Sequence, residues 1–166
     1  MQPYNNLFQR LKKMNKNIKG RNKPIEILLI EDNLGDNRLT TEVFKEATVA
    51  NNIQIITNGM EAMEYLKRKE KYQNAIRPDL IFLDLNIPKK DGREILMEIK
   101  RDPELKCIPI IVLTTSNSEI DIKSTYAHYA NAYITKPIDL NKFIEVIKSI
   151  EEYWLGTVEL PSGCGE

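Results

Sequence analysis

The sequence predicts an α/β fold of the (βα)5 type, in which one parallel sheet is covered by helices. Two observations lead to this prediction. Five short apolar runs recur along the chain, and the segments between them carry apolar residues at helical spacing. Each connection is also long enough for a right-handed crossover helix between parallel strands. The 166 residues are enough for one domain with a single core.

The five predicted strands are short and apolar. They are Ile25–Ile30, Asn52–Ile56, Asp79–Leu83, Ile110–Leu113 and Ala132–Ile134. The third ends in the unbroken run Leu80-Ile81-Phe82-Leu83, which is typical of a strand buried on both faces. Pro88 lacks the backbone donor that a central ladder needs. Asp84 is therefore predicted to lie at the carboxyl end of a central strand.

The predicted helices fill the segments between the strands. Their apolar repeats are Leu39, Val43 and Ala47, then Met63 and Leu66, then Ile95, Leu96 and Ile99. Ser118 and Asp139 are placed as helix N-caps. The last helix runs from Asp139 to about Tyr153 with an apolar stripe broader than one sheet face requires. Two interpretations remain open: core packing with a few exposed apolar atoms, or an association surface.

The two ends of the chain differ from its middle. Residues 1–23 carry seven basic side chains and no acidic one, and we expect a flexible extension. The alternative is contact with nucleic acid or an acidic partner, but no helix-turn-helix pattern supports it. Residues 24–155 are the predicted folded domain. Residues 156–166 are predicted to be a flexible tail, too short for a second domain such as a DNA-binding output domain.

The two cysteines are far apart in sequence. Cys107 and Cys164 have neither a CxxC partner nor a nearby His, so we predict neither a metal site nor a disulfide, and a reducing compartment fits. No run approaches the roughly 18 apolar residues of a membrane helix. The basic leader lacks the apolar block of a signal peptide. We therefore expect a cytoplasmic protein that does not enter a membrane.

Polar residues follow four of the predicted strands. They are Glu31 and Asp32, then Asp84, then Thr114, then Lys136. Because the carboxyl ends of parallel strands meet at one edge, where ligands bind, we expect these side chains to lie together. Carboxylates about 4 Å apart repel by about 4 kcal/mol per pair at an effective dielectric of roughly 20. Lys136 and a hard divalent cation such as Mg²⁺ would offset this repulsion.

This set of residues resembles the receiver domain of two-component response regulators, over residues 25 to about 153. Asp84-Leu85-Asn86-Ile87-Pro88, followed by Asp91-Gly92, is similar to the family's signature loop. Lys136-Pro137 is similar to its lysine and adjoining, often cis, proline. The resemblance implies a doubly wound, flavodoxin-like sheet with strand order 2-1-3-4-5.

The resemblance also implies a role for each site residue. Asp84 would accept a phosphoryl group, and Thr114 and Lys136 would bind its oxygens. A Mg²⁺ (or Mn²⁺) ion would be held by the ligands that the family uses, namely Asp32, Asp84, the main-chain carbonyl of Asn86 and, through water, Glu31. Tyr133 occupies the position of an aromatic side chain whose rotamer follows Thr114 when the domain is switched.

Partners follow from the same resemblance. His128 is the only histidine, so the phosphoryl donor should be a sensor histidine kinase or a histidine phosphotransfer protein. Several motifs look like those of stand-alone receivers that serve phytochrome-type and other sensor kinases in bacteria and archaea. The resemblance further implies a homodimer through the fourth helix, fifth strand and fifth helix. Its predicted residues are Phe143, Ile147, Tyr153 and Trp154. No direct DNA binding is expected.

Three alternatives remain. A phosphatase similar to the haloacid dehalogenases would use the same aspartyl chemistry, but it places a second acid two residues after the nucleophile, where this chain has Asn86. A flavin- or nucleotide-binding domain would need a Gly-rich phosphate loop after the first strand, where Glu31 and Asp32 stand instead. An interaction module that keeps the fold without accepting phosphate is the third.

Overall fold

The computed structural model describes residues 23–164 and contains a five-stranded parallel sheet in the order β2-β1-β3-β4-β5. The strands are β1 (Ile25–Ile30), β2 (Asn51–Ile56), β3 (Leu80–Leu83), β4 (Ile110–Thr114) and β5 (Ala132–Thr135). The predicted fold class and strand order are confirmed, and each predicted strand boundary lies within one residue of the observed one. The predicted flexibility of residues 1–22 concerns a segment outside the described residues.

Helices connect the strands on both faces of the sheet. They are α1 (Leu34–Lys45), α2 (Gly59–Leu66), α3 (Gly92–Arg101), α4 (Glu119–Ala127) and α5 (Leu140–Trp154), with a short 3-10 turn at Glu70–Tyr72. At four of the helix starts the side chain of the N-cap residue accepts a hydrogen bond from a first-turn backbone N–H; these N-cap residues are Asn33, Asn58, Asp91 and Asp139. Ser118 occupies the N-cap of α4, but its side chain makes no capping hydrogen bond. Among the described residues, no helix is long and apolar enough to cross a membrane.

The sheet separates two apolar layers, because successive strand residues point to opposite faces. One layer packs α2 and α3 against β1, β3 and β4, for example through Met63, Leu96 and Ile81. The other packs α1 and α5 against the same strands, and Phe44 meets Phe82 edge-on with ring centroids 5.6 Å apart. Helix α4 has only one buried residue, Thr125, and is thus the helix least tied to the core.

The C-terminal tail packs against the folded domain, which corrects two predictions. Leu155 and Leu160 are buried in the layer beneath α1 and α5, and Cys164 forms a disulfide with Cys107 with their Cα atoms 5.3 Å apart. The prediction of a flexible tail over 156–166 is therefore wrong as far as residue 164, and the prediction of no disulfide is wrong. The pairing spans 57 residues and arises from docking of the tail, which spacing alone does not reveal.

The disulfide generates a testable prediction for stability. We expect Cys164→Ser to lower the free energy of unfolding by about 2 to 4 kcal/mol, because a long closed loop restricts the unfolded chain. Urea unfolding with and without reductant measures this. The double variant with serine at both Cys107 and Cys164 should not respond to reductant. An unchanged wild-type midpoint on reduction would contradict the expectation.

Candidate functional site

Polar side chains from four strand ends meet at the carboxyl edge of the sheet. Glu31 follows β1, Asp84 follows β3, Thr114 ends β4 and Lys136 follows β5, and all four are buried. Ile30 and Leu83 are paired in the sheet, so the residues that follow them, Glu31 and Asp84, are neighbours. The structure thus brings together the residues that the sequence placed at this edge.

An acidic cluster at this edge has the composition of a divalent metal site. Glu31, Asp32 and Asp84 each offer a carboxylate oxygen, and these oxygens lie within 4.8 Å of one another. Glu31 and Asp84 are buried while Asp32 is exposed, so the cluster opens to solvent on one side. Backbone N–H groups orient the buried acids: Asn33 donates to Glu31 Oε1 and Asn86 donates to Asp84 Oδ1, both at 3.0 Å. Hard oxygen ligands of this kind fit Mg²⁺ or Mn²⁺.

Lys136 supplies the positive charge inside the acidic cluster. Its ammonium donates to Glu31 Oε2, to Asp84 Oδ2 at 3.2 Å and to Asp36 Oδ2 at 2.9 Å, which uses all three of its N–H groups. Burial by itself lowers the pKa of Lys136, but its contacts with Glu31, Asp36 and Asp84 together outweigh burial and raise that pKa. Burial raises the pKa of Glu31 to about 7, against the lowering effect of Lys136.

Asp36 is the site residue that the sequence analysis missed. It lies in the first turn of α1, where its backbone N–H donates to the capping oxygen of Asn33 at 3.0 Å. Its carboxylate reaches Lys136 from the helix, whereas the predicted residues come from strand ends. A signal was present in the sequence: an N-cap at Asn33 places Asp36 in a first helical turn that begins at the same edge of the sheet.

Thr114 and Tyr133 both contact Ser116, which lies in the loop between β4 and α4. Thr114 is fully buried, and its Oγ1 accepts a hydrogen bond from the Ser116 backbone N–H at 3.4 Å. Tyr133 is half-buried, and its hydroxyl donates to the Ser116 carbonyl oxygen at 2.8 Å. The hydroxyl residue of the site and the aromatic residue predicted to respond to it are therefore joined through one loop residue.

The loop after Asp84 is held by backbone contacts. Gly92 N–H donates to the Leu85 carbonyl at 2.9 Å, and Gly59 N–H donates to the Pro88 carbonyl at 3.0 Å. Asn86 is exposed at this rim. The described chain contains no cis peptide bond, so the Lys136-Pro137 bond is trans, in contrast to the cis bond often found at this place in the family.

Two of the four predicted dimer-face residues are not at the surface. Phe143 is 3% exposed and Ile147 is 1% exposed, because this side of α5 packs against the sheet. Their assignment to an association surface is wrong. Tyr153 is 57% exposed, and Trp154 is half-buried with its ring 6.0 Å from that of Tyr153. The broad stripe thus divides into a core side and an exposed edge.

The close packing behind Asp84 generates a prediction. A Cβ atom at Gly92 would lie 2.3 Å from the Asp84 carbonyl oxygen and 2.6 Å from the Leu85 Cα. We expect Gly92→Ala to lower the free energy of unfolding by about 1 to 3 kcal/mol, because backbone atoms must shift. Urea unfolding measures it, with Gly163→Ala as control, since a Cβ there meets nothing within 4 Å. Equal midpoints for both variants would contradict this account.

Comparisons with known proteins agree with the observed fold. The response regulator receiver domain family matches residues 27–148. Response regulator Rcp1 of Synechocystis is 47% identical over 141 residues, which cover 85% of this chain and 96% of Rcp1.

Two crystal structures are similar over most of the chain. The Mn²⁺-bound form of Rcp1 has a TM-score of 0.83 at 47% identity, covering 84% of this chain and 100% of that one. The phosphorylated cyanobacterial phytochrome response regulator RcpA has a TM-score of 0.82 at 51% identity, with the same two coverages of 84% and 100%. With the strand order, the acidic edge and these matches in agreement, the chain belongs to the response regulator receiver domain family of two-component signalling proteins.

Proposed function

We propose that this chain is a phosphoacceptor response regulator that receives a phosphoryl group on Asp84 and signals through protein contacts. The observation that carries the proposal is the buried contact between the Asp84 carboxylate and the Lys136 ammonium, beside the acids of a candidate metal site. A carboxylate in this setting can act as a nucleophile toward an anionic phosphoryl group, because positive charge is fixed where negative charge develops.

The proposed donor is the phosphohistidine of a sensor histidine kinase or of a histidine phosphotransfer protein. An Asp84 carboxylate oxygen forms a bond to phosphorus while the bond from phosphorus to the histidine nitrogen breaks, and the electron pair leaves with the imidazole. Lys136 neutralises a phosphoryl oxygen, and the Thr114 hydroxyl donates a hydrogen bond to another. His128 is not the proposed donor, because it follows α4 and precedes the amino end of β5, at the rim of the sheet opposite Asp84.

A divalent cation is part of the proposal. Asp32, Asp84 and the main-chain carbonyl of Asn86 would hold Mg²⁺ or Mn²⁺, with Glu31 acting through water, and the mutual spacing of the three carboxylates suits one ion. When bound, the ion supplies positive charge that stabilises the transferring phosphoryl group. The solved Mn²⁺-bound form of Rcp1 supports this assignment by similarity.

Protein contacts are the proposed output. Thr114 would move toward the phosphoryl group, and Tyr133 would respond through their shared contact with Ser116. Such a change alters the face made by α4, β5 and α5.

The cytoplasm is the proposed compartment, since a phosphohistidine donor and its substrate must meet there.

Phosphorylation of Asp84 is tested with acetyl phosphate as donor. We expect intact-mass spectrometry to show a gain of one phosphoryl group in the wild type with Mg²⁺, none in Asp84→Asn, and none with EDTA. Asp102→Asn, in an exposed turn, is the control and should label normally. Labelling that persists in Asp84→Asn would refute the assignment of the phosphoacceptor.

The same preparations separate the alternatives. Absence of labelling in every preparation would favour an interaction module. Sustained hydrolysis of p-nitrophenyl phosphate that disappears in Asp84→Asn would favour a phosphatase. We expect the wild type to be labelled and to show no sustained hydrolysis. Hydrolysis is not expected because Asn86 cannot supply the proton that a phosphatase gives to the leaving group.

A homodimer through the α4, β5 and α5 face is the second part of the proposal. Tyr153 and Leu140 present exposed apolar surface at this face, with exposures of 57% and 56%. We expect sedimentation at high micromolar concentration to give a dimer mass for the wild type and a monomer mass for Tyr153→Arg. Met60→Arg is the control, because Met60 is 51% exposed on α2, and α2 packs in the apolar layer on the opposite side of the sheet from α5. A monomeric wild type, with and without a phosphate mimic, would refute the dimer.

A further inference from the structure

An ion pair outside the phosphorylation site joins helices α3 and α4. The Arg93 guanidinium donates from Nε to Asp121 Oδ1 at 2.7 Å and from Nη2 to Asp121 Oδ2 at 2.6 Å. This bidentate geometry fixes both groups more firmly than a single contact does. Asp91 also accepts from Arg93 Nη1, at 3.0 Å, which limits the conformations open to the arginine.

Asp121 transmits this ion pair to the loop after β4. Its Oδ2 accepts a hydrogen bond from the Ser116 hydroxyl at 2.6 Å, and its side chain is 15% exposed. The hydrogen bond with Arg93 holds the pKa of Asp121 down at about 2, so the carboxylate stays charged at neutral pH. Ser116 is thus fixed to two helices through one acceptor. We call Arg93, Asp121 and Ser116 the Ser116 anchor.

The anchor acts on the two residues that are proposed to switch. The Ser116 backbone N–H donates to Thr114 Oγ1, and the Ser116 carbonyl accepts from the Tyr133 hydroxyl. If Thr114 moves toward a phosphoryl group on Asp84, it must either give up its hydrogen bond to Ser116 or pull Ser116 with it. The second course strains the bond to Asp121, whose carboxylate is held by Arg93.

Weak packing of α4 gives the anchor its importance. Thr125 is the only buried residue of this helix, and Ile120, in its first turn, is 79% exposed. Few apolar contacts therefore hold the start of α4. The ion pair between Arg93 and Asp121 then contributes a larger part of the interactions that position this end of the helix.

We propose that Arg93 is a positioning residue which, through Asp121 and Ser116, holds Thr114 in the arrangement seen here and opposes the change that phosphorylation of Asp84 produces. This inference rests on the proposed function, because it assigns a restraint to the same switch. Loosening the anchor should make the switched arrangement easier to reach, so a phosphate mimic should bind more tightly.

The experiment compares beryllofluoride binding, in Mg²⁺, among variants of the full chain by titration calorimetry. We expect Arg93→Met to bind about 10-fold more tightly than the wild type, a coupling of ordinary size for linked sites. Glu98→Gln is the matched control, since Glu98 lies on the same helix and forms ion pairs with Lys67 and Lys90 that do not involve Ser116. It should bind with wild-type affinity.

Two further measurements separate positioning from mere stabilisation. Arg93→Lys keeps the charge and should restore part of the wild-type affinity. The Tyr133 ring resonances of free Arg93→Met should shift toward the positions seen in the beryllofluoride complex. If Arg93→Met does not fold, Asp121→Asn carries the test, because its amide oxygen can still accept from Ser116 while the ion pair is lost; it should bind several-fold more tightly.

Each outcome has one meaning. Tighter binding by the Arg93 or Asp121 variant, with Glu98→Gln unchanged, supports the anchor. Equal or weaker binding by that variant overturns the anchor but leaves the proposed function standing if the wild type binds the mimic. A wild type that neither binds beryllofluoride nor is labelled on Asp84 overturns both.

Discussion

The buried ammonium of Lys136 is the interaction on which the functional edge of this protein depends. A parallel sheet brings the carboxyl ends of its strands together, and here Glu31 and Asp84 follow adjacent central strands. Two buried carboxylates side by side repel each other strongly unless a cation lies between them. Lys136 contacts both acids as well as Asp36. Its single positive charge therefore allows three carboxylates to occupy the same site.

The site is built on rigid elements, while the part proposed to respond is loosely held. β1, β3 and β4 are buried on both faces, and they fix Asp84 and Thr114 within the most densely packed part of the molecule. Helix α4 has one buried residue and is positioned largely by polar contacts at its start. A chemical event at the sheet edge can therefore displace α4 without disturbing the core, because local stability is low where apolar contacts are few.

The strands and their polar ends could be predicted from the sequence because both depend on local pattern. A run such as Leu80–Leu83 identifies a buried strand, and chain direction then assigns Asp84 to the reactive edge. The features that were missed depend on three-dimensional placement. Phe143 and Ile147 belong to the core because of how α5 is rotated on the sheet. The bond from Cys107 to Cys164 forms only after the tail docks, and Asp36 joins the site across a helical turn.

The disulfide also fixes the position of Cys164, the last residue that the structure describes. Cys107 precedes β4, so Cys164 is attached near the amino ends of the strands, at the rim opposite Asp84 and Lys136. A fluorophore coupled to a residue next to Cys164 would therefore lie at that far rim. The label would leave the approach of a phosphohistidine donor to Asp84 unobstructed. Reduction of the disulfide would remove the covalent bond that holds the label at this rim.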